Sequence, residues 1–209
     1  MRVTCAGRIA VSPGGVANIM MRLSAARAAF CAGLLAVLPL TSSLAATGKF
    51  VGDSGIELDA PYVPTPQPIV DTMLTIASVG KDDIVYDLGS GDGRLVISAV
   101  RDFGAKKGVG VDIDPVRIKE ANANAKGAGV ADRVTFFEKD LFRFDFTEAT
   151  VLTMYLLPDM IAKLRPQLIA MKPGTRIVAH DFSIPDWEPV KTETVDTATI
   201  YFYTVPAKK

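Results

Sequence analysis

The stretch IVYDLGSGDGRLVISAV, Ile84 to Val100, places a glycine-rich loop directly after a short apolar run. The run IVYDL has the length and composition of a buried strand, and the residues after the loop repeat their apolar positions with helical spacing. A glycine-rich turn between a strand and a helix lets the backbone approach a bound cofactor closely. The stretch therefore predicts a cofactor-binding loop, and its glycine spacing and charges limit which cofactors fit.

The loop contains three glycines that are separated by single residues: Gly89, Gly91 and Gly93. A dinucleotide-binding loop has the pattern G-x-G-x-x-G, and Arg94 stands where its last glycine belongs. No Gly-Lys-Ser/Thr sequence follows, so the pattern of a phosphate-binding loop is also missing. Asp87 and Asp92 surround the loop with negative charge, which is unfavourable for a pyrophosphate. S-adenosylmethionine carries a sulfonium and an ammonium, and it matches these charges better than NAD does.

Two further aspartates follow strands in the same part of the chain. Asp112 ends the second strand, 23 residues after Gly89, where a carboxylate can accept hydrogen bonds from ribose hydroxyls. NAD sites share this feature, so Asp112 alone does not discriminate between the two cofactors. Asp114 precedes Pro115 and is the better candidate to cap the next helix, which leaves Asp112 for a ligand. Asp140 ends the third strand and is a candidate partner for an adenine amino group.

Strand and helix patterns alternate along the chain. We predict strands at 83–88, 107–113, 133–140, 149–156, 175–182, 190–195 and 199–205. We predict helices at 66–79, 95–103, 114–126 and 158–171, the first capped by Thr65 with Pro66 at its first position. This alternation predicts an α/β fold with a doubly wound, mostly parallel seven-stranded, Rossmann-like sheet. The last two strands flank a short turn and predict an antiparallel hairpin at the sheet edge.

The first 46 residues have the composition of a leader. Arg22 and Arg27 precede the apolar run 28–40, and small residues follow it, which is the pattern of a secretory signal peptide. The run is shorter than the roughly 20 residues that a membrane span needs. An uncleaved N-terminal anchor is the alternative, and Met20 or Met21 is an alternative start.

These features divide the chain into three parts: residues 1–46 as signal peptide or anchor, 47–65 as an irregular arm rich in Gly and Pro, and 66–209 as the domain. The leader predicts a periplasmic or secreted protein, or one associated with a membrane through residues 28–40. A cytoplasmic domain is expected if the leader is an anchor or if translation starts later.

Charge and cysteine usage exclude several classes of function. The leader contains four arginines and no acid, which leaves 19 basic against 23 acidic residues in the rest of the chain. Because no basic run is present, we expect no nucleic-acid partner. Both cysteines, Cys5 and Cys31, lie in the leader, and His180 is the single histidine. The domain is therefore expected to have neither a disulfide nor a metal site.

Taken together, VYDLGSGDGR, VGVDID and EKDLF resemble the cofactor motifs of class I S-adenosylmethionine-dependent methyltransferases. The segments YVPTP (62–66), VLTMYLLP (151–158) and TRIVAHDF (175–182) followed by Asp186-Trp187 narrow the resemblance. They are similar to a small family of protein-lysine methyltransferases from archaea and mitochondria, whose members include enzymes acting on the c subunit of ATP synthase. The resemblance covers residues 61–205. It implies S-adenosylmethionine as cofactor and a protein lysine, or a small amine, as acceptor.

The candidate cofactor-binding residues come from the arm, the glycine loop and the ends of the next two strands: Thr65, Asp87, Gly89, Ser90, Gly91, Gly93, Asp112, Ile113, Asp140 and Leu141. The resemblance places the acceptor motif at MYLLP, where the Tyr155 hydroxyl is the candidate catalytic group. His180 could act as a general base and Trp187 could form a wall of the substrate site. For both residues, a structural role is the stronger expectation. The segment VPTP either closes over the cofactor or is only a stiff arm.

The leader conflicts with a methyltransferase, because S-adenosylmethionine is made in the cytoplasm. An exported, non-catalytic binding module on a methyltransferase scaffold is therefore a second hypothesis, and a small-molecule methyltransferase a third. The intact Asp87, Asp112 and Asp140 favour an enzyme over the binding module. Arg94 in the glycine loop disfavours an NAD-dependent oxidoreductase.

Overall fold

The computed structural model describes residues 49–207, and the predicted leader lies outside this range. The strands are β1 Phe50–Val51, β2 Glu57–Leu58, β3 Ile84–Leu88, β4 Lys107–Asp112, β5 Val134–Glu138, β6 Val151–Met154, β7 Arg176–His180, β8 Lys191–Val195 and β9 Ala198–Thr204. The α-helices are α1 Gln67–Ile76, α2 Arg94–Arg101, α3 Pro115–Gly127 and α4 Pro158–Ala170. No helix within 49–207 is long and apolar enough to span a membrane.

Seven strands form one sheet in the order β5-β4-β3-β6-β7-β9-β8. The first five are parallel, whereas β9 runs antiparallel to both β7 and β8. This confirms the predicted doubly wound sheet with an antiparallel C-terminal hairpin. The chain moves outward from β3 to β5 and then returns to β6, on the other side of β3. Such a switch point leaves a crevice at the carboxyl ends of the strands, where α/β proteins bind ligands.

The two faces of the sheet bury separate cores. Successive residues alternate between them: Val151 packs with α1, α2 and α3 on one face, whereas Leu152 packs with α4 on the other. The central strands are buried on both faces, which explains why their sequences read as nearly continuous apolar runs. This packing positions the strand ends, and the loops that follow them carry the candidate site residues.

The helix α1 begins and ends differently from its prediction. Its N-cap is Pro66, no side chain caps it, and it ends at Ile76 rather than near residue 79. The prediction that Thr65 caps this helix is wrong, because the Thr65 hydroxyl lies 3.2 Å from Nδ1 of His180 instead. Ser78 adopts a positive φ of 50°, which terminates the helical backbone soon after Ile76.

The arm before α1 is irregular for most of its length but contains a hairpin that was not predicted. Strands β1 and β2 pair antiparallel around a turn in which Gly55 has a φ of 82°. Two-residue strands are too short to produce a recognisable alternation in sequence. The turn residue Asp53 forms an ion pair of 2.5 Å with Arg117 of α3. The arm is thereby attached to the domain beside the carboxyl edge of the sheet.

Candidate active site

A cleft of about 420 Å³ opens at the carboxyl ends of β3, β4 and β6. The glycine loop and the loops after β4 and β5 form its floor, and arm residues 57–65 form the facing wall. Nine of the ten predicted cofactor-binding residues line it: Thr65, Asp87, Gly89, Ser90, Gly91, Asp112, Ile113, Asp140 and Leu141. The fold therefore gathers residues that are up to 76 positions apart in sequence into one site.

The glycine loop turns tightly at the end of β3. The N–H groups of Gly89 and Ser90 both donate to the carbonyl of Val111, at 2.9 and 3.0 Å. Gly91 has a φ of 50°, and a Cβ atom there would lie 2.5 Å from the ring of Tyr62. Glycine is thus required both by the backbone conformation and by the close approach of the arm.

Gly93 has a different role from its neighbours. It is the N-cap of α2 with a φ of 80°, and it does not line the cleft. A Cβ atom there would lie 2.5 Å from the ring of Phe136, so Gly93 lets α2 pack closely against β5. In this structure Gly93 has a packing role, and it is the one predicted cofactor-binding residue that does not line the cleft.

Asp112 fixes the loop from the end of β4. Its two carboxylate oxygens accept hydrogen bonds from the N–H groups of Gly91 and Asp114, at 2.8 and 3.0 Å. Burial nevertheless raises the pKa of Asp112 above its ordinary value. Asp114 caps α3 by accepting from Val116 N–H at 2.9 Å, as predicted, so Asp112 is not needed as the cap. Each oxygen of Asp112 keeps a lone pair for a ligand in the cleft.

Asp87 is a buried carboxyl group at the base of the loop. The Thr153 hydroxyl donates to it at 2.7 Å, but burial raises its pKa to about 7, and the nearby charges of Asp112 and Asp92 add to the shift. A cationic ligand in the cleft would reverse this shift, because it favours the ionised carboxylate.

Asp140 and Leu141 form the end of the cleft beside β5. Asp140 accepts from Phe142 N–H at 2.9 Å and so caps the short 3₁₀ turn Leu141–Arg143. Its second oxygen is 3.7 Å from Nε of Arg143. Asp140 therefore combines a turn-forming role with a position on the cleft wall.

The opposite end of the cleft is apolar around Tyr155. Its lining residues come from the segments after β5, β6 and β7: Phe142, Leu156, Leu157, Met160 and Phe182. The Tyr155 ring lies 3.9 Å from the ring of His180, measured between centroids, and its hydroxyl donates to Asp181 at 3.2 Å. His180 is buried and does not line the cleft, and burial lowers its pKa. These observations favour a structural role for His180 over a catalytic one. Trp187 packs against Tyr203, away from the cleft.

Known proteins resemble this chain over most of the described domain. The family model for the ANTKMT methyltransferase domain matches residues 87–191. A protein-lysine N-methyltransferase of Saccharolobus islandicus is 47% identical over 154 residues, which cover 71% of this chain and 96% of the relative. The chain belongs to the ANTKMT methyltransferase family.

Two further relatives of this methyltransferase differ in the acceptor that their names state. The mouse adenine nucleotide translocase lysine N-methyltransferase is 30% identical over 151 residues, covering 72% of this chain and 65% of the relative. A crystal structure described as an RNA methyltransferase of Salinibacter ruber contains S-adenosylhomocysteine. It has 52% sequence identity and a TM-score of 0.69, and the match covers 70% of this chain and 96% of that one.

The cleft of the methyltransferase fits S-adenosylmethionine. Its lining contains seven carboxylates against three basic groups: Glu57, Asp59, Asp87, Asp92, Asp112, Asp114 and Asp140 against Lys49, Arg94 and Arg117. The hydroxyl of Ser90, at the start of the glycine loop, is buried beside Gly110 of β4 and has no hydrogen-bond partner within the described residues. The charges of the cleft and the comparisons agree on S-adenosylmethionine as the cofactor, which confirms the prediction from the glycine loop.

The methyltransferase closes its cleft with residues that were not predicted. Arg94 binds both carboxylate oxygens of Asp92, at 2.6 and 2.9 Å, and donates to the carbonyl of Thr65 at 2.8 Å. The guanidinium of Arg117 lies 4.5 Å from the centre of the Tyr62 ring. These contacts hold VPTP against the glycine loop. Arg94, at the last position of the dinucleotide pattern, is the sequence feature that could have indicated these contacts.

Proposed function

We propose that this enzyme transfers the methyl group of S-adenosylmethionine to the side-chain amine of a protein lysine. The proposal depends mainly on one observation: a single cleft combines an acidic part, suited to the cofactor, with an apolar part around Tyr155. An acidic cleft favours the approach of a cationic lysine, and apolar walls suit the four methylenes of its side chain. The lysine-directed relatives named above support the same acceptor.

The cofactor end holds and orients the donor through this chain's own groups. Asp87 and Asp112 would provide carboxylates for the ammonium and the ribose hydroxyls, and Asp140 with Leu141, which also line the cleft, would contact the adenine. The bound cofactor supplies a methyl group attached to a positively charged sulfur. Holding donor and acceptor in line in this way accounts for about 7–11 kcal/mol of rate enhancement in well-oriented reactions.

The acceptor end has to deliver a neutral amine. A free lysine has a pKa of about 10.4, and an apolar environment lowers this value because it disfavours the ammonium. After the amine loses its proton to solvent, its lone pair forms the new N–C bond while the C–S bond breaks and sulfur keeps the electron pair. Leu156, Leu157 and Met160 keep water from the acceptor, and Tyr155 offers its hydroxyl as the polar contact.

RNA is a second candidate acceptor, because the Salinibacter ruber structure is described as an RNA methyltransferase. RNA binding relies on cationic groups that neutralise phosphates. The seven carboxylates of this cleft and the excess of acidic residues after the leader disfavour such a polyanion. A small amine remains a third candidate, whereas the match to a methyltransferase family argues against a non-catalytic module.

The acceptor is tested by label transfer. The full chain is incubated with S-adenosylmethionine labelled in the methyl group, together with cell extract that is afterwards separated into protein, RNA and small molecules. We expect label in protein, and hydrolysis should release it as methylated lysine. Label in RNA alone, or in small amines alone, would replace the proposal by the corresponding alternative. An Asp112→Ala variant, assayed in parallel, controls for label that does not depend on the cleft.

We also propose that residues 28–40 place the enzyme at a membrane or direct its export. The apolar run and its preceding arginines support this placement. Cell fractionation of the full chain, with N-terminal sequencing of the product, tests it. Recovery of the protein in the soluble cytoplasmic fraction would contradict both membrane placement and export. The size of the recovered protein distinguishes a retained anchor from a cleaved signal peptide.

A further inference from the structure

Asp181 occupies an unusual backbone position directly after β7. It is one of four non-glycine residues with positive φ within residues 49–207, and its φ is 60°. Aspartate and asparagine tolerate this conformation better than other side chains, but it is still unfavourable. Such conformations persist where the surrounding structure enforces them, and they concentrate at functional sites. Asp181 precedes Phe182, which lines the acceptor end of the cleft.

The structure enforces this conformation through β9. Asp181 N–H donates to the carbonyl of Thr199 at 2.7 Å, and one carboxylate oxygen, Oδ1, accepts from Thr199 N–H at 3.0 Å. The other oxygen, Oδ2, accepts from the Tyr155 hydroxyl at 3.2 Å and lies 3.5 Å from Nε2 of His180. The side chain is thus anchored on one side by the sheet and presents its second oxygen to Tyr155.

A phenol has a single proton, and an ionised carboxylate can only accept hydrogen bonds. Because Tyr155 donates that proton to Asp181, its hydroxyl oxygen can only accept from a group in the cleft. We propose that Asp181 is a positioning residue that makes Tyr155 a hydrogen-bond acceptor for the N–H of the incoming amine. This inference rests on the proposed function and specifies how the acceptor is oriented.

The rings around this contact hold Tyr155 in place and keep it protonated. The His180 ring packs on Tyr155, and Nδ1 of His180 lies 3.2 Å from the Thr65 hydroxyl of the arm. Burial and the charge of Asp181 raise the pKa of Tyr155 above its ordinary value of 10.0. Tyr155 therefore retains the proton that it donates to Asp181 throughout the neutral pH range.

The arrangement has a consequence for successive methylations. A neutral lysine has two N–H bonds and a monomethylated lysine has one, so both can donate to Tyr155 while directing the lone pair at the methyl group. A neutral dimethylated lysine has none. Asp181 and Tyr155 should therefore accelerate the first two transfers and contribute little to a third.

The kinetic test compares Asp181→Asn, Tyr155→Phe and the double variant in the full chain, with poly-L-lysine as acceptor. Asparagine suits the positive φ and keeps an oxygen for Thr199 N–H, but its NH₂ group would donate to Tyr155. We expect each single variant to lower kcat about tenfold, the upper size expected for one neutral hydrogen bond. The double variant should be no slower than Tyr155→Phe, and the affinity for S-adenosylmethionine should stay unchanged.

Reductively dimethylated poly-L-lysine serves as the second acceptor, and the variants should match the wild type on it. Asp196→Asn is the matched control, because Asp196 also has a positive φ, of 53°, but lies in the β8–β9 turn. A wild-type kcat in Asp181→Asn, or multiplicative effects in the double variant, would overturn the inference. If Asp181→Asn does not fold, Tyr155→Phe alone decides, because an unchanged kcat removes any role for Asp181 through that hydroxyl.

A spectroscopic measurement separates this inference from the proposed function. The Raman difference between wild type and Tyr155→Phe isolates the Tyr155 bands, whose Fermi-doublet ratio distinguishes a hydrogen-bond donor from an acceptor. We expect the Fermi-doublet ratio of a hydrogen-bond donor when Asp181 is present. The same Raman difference, measured with Asp181→Asn in both proteins, should no longer show that ratio. An acceptor ratio in the wild type would overturn the inference whatever the substrate is. A donor ratio with no transfer to lysine would instead uphold the Asp181 contact and reject the lysine acceptor.

Discussion

The two ends of the cleft are built in different ways. The cofactor end consists of backbone N–H groups, glycines and carboxylates that follow β3 and β4 closely in sequence. The acceptor end consists of side chains from segments after β5, β6 and β7, positioned by a second layer that includes Asp181 and His180. Donor binding therefore depends on a few local charges and conformations, whereas acceptor choice depends on packing between distant segments. Changes at the cofactor end should therefore have the larger effects on S-adenosylmethionine binding.

The largest effect is expected from Asp112→Ala. The change removes the acceptor for Gly91 and Asp114 N–H and a predicted partner of the ribose hydroxyls. Hydrogen bonds to a charged group contribute about 1.5–3 kcal/mol, so we expect the Kd for S-adenosylmethionine to rise about 100-fold. Calorimetric titration measures this value, with Asp132→Ala, at an exposed site outside the cleft, as the control. Equal binding by both variants would contradict the assignment of Asp112.

A smaller loss is expected from Gly91→Ala. Alanine there is strained at a φ of 50°, and its Cβ atom meets the Tyr62 ring at 2.5 Å. Strain and collision together cost about 2 kcal/mol, which corresponds to about a 30-fold weaker Kd for S-adenosylmethionine. Combining the change with Tyr62→Ala removes the collision and should restore part of the affinity. If Tyr62→Ala makes no difference, the arm does not press on the loop as described.

The pH dependence of S-adenosylmethionine binding tests Asp87. Its pKa is about 7 in the ligand-free enzyme, and a bound cation should lower this pKa. Below pH 7 binding then releases a proton, so affinity should rise about tenfold from pH 6 to pH 7.5 and level off above. Titrations in two buffers of different ionisation enthalpy would measure the released proton. Asp87→Asn should bind with little pH dependence in this range, and a slope equal to that of the wild type would assign the proton to another group.

The smallest effect is expected from Arg117→Ala, which loosens the arm but leaves the cofactor end intact. The change removes the ion pairs with the exposed Asp53 and Glu120 and the contact with the Tyr62 ring. Exposed ion pairs and cation–π contacts each contribute about 0.5–1 kcal/mol to holding the arm. Because the arm makes these contacts without the cofactor as well, only part of the loss is coupled to binding, and the Kd for S-adenosylmethionine should rise about threefold. Lys191→Ala, which breaks the exposed pair with Glu193 on β8, is the control. A loss as large as that of Asp112→Ala would mean that the arm, and not the loop, dominates binding.

Much of the cofactor end could be predicted because its features are local in sequence. The strand-loop-helix order around Gly89, the cap at Asp114 and the place of Asp112 at the end of β4 all follow from residues within a short stretch. Gly93 was grouped with Gly89 and Gly91 because its spacing continues theirs, although it packs against the sheet and does not line the cleft. Only the packed structure shows that Phe136, from another strand, occupies the space beside it.

The arm and the acceptor end could not be predicted to the same extent. The cap expected at Thr65 was overridden by His180, which is 115 residues away, and the hairpin before it is too short for a periodic pattern. Tyr155 was proposed as the acceptor-site residue because MYLLP resembles the acceptor motif of amine methyltransferases. Its partner Asp181 was not, because no sequence pattern marks a positive φ or a contact between β6 and β7.

By itself, the sequence determined the doubly wound fold, the position of the cofactor loop and the charge of its ligand. These properties depend on apolar periodicity, glycine spacing and the charges of nearby side chains, and each of them can be recognised within a single segment of sequence. The tertiary structure alone decided how the arm covers the loop and which groups surround Tyr155. Those contacts join segments more than 20 residues apart, and they form only when the packing of the sheet brings strand ends together.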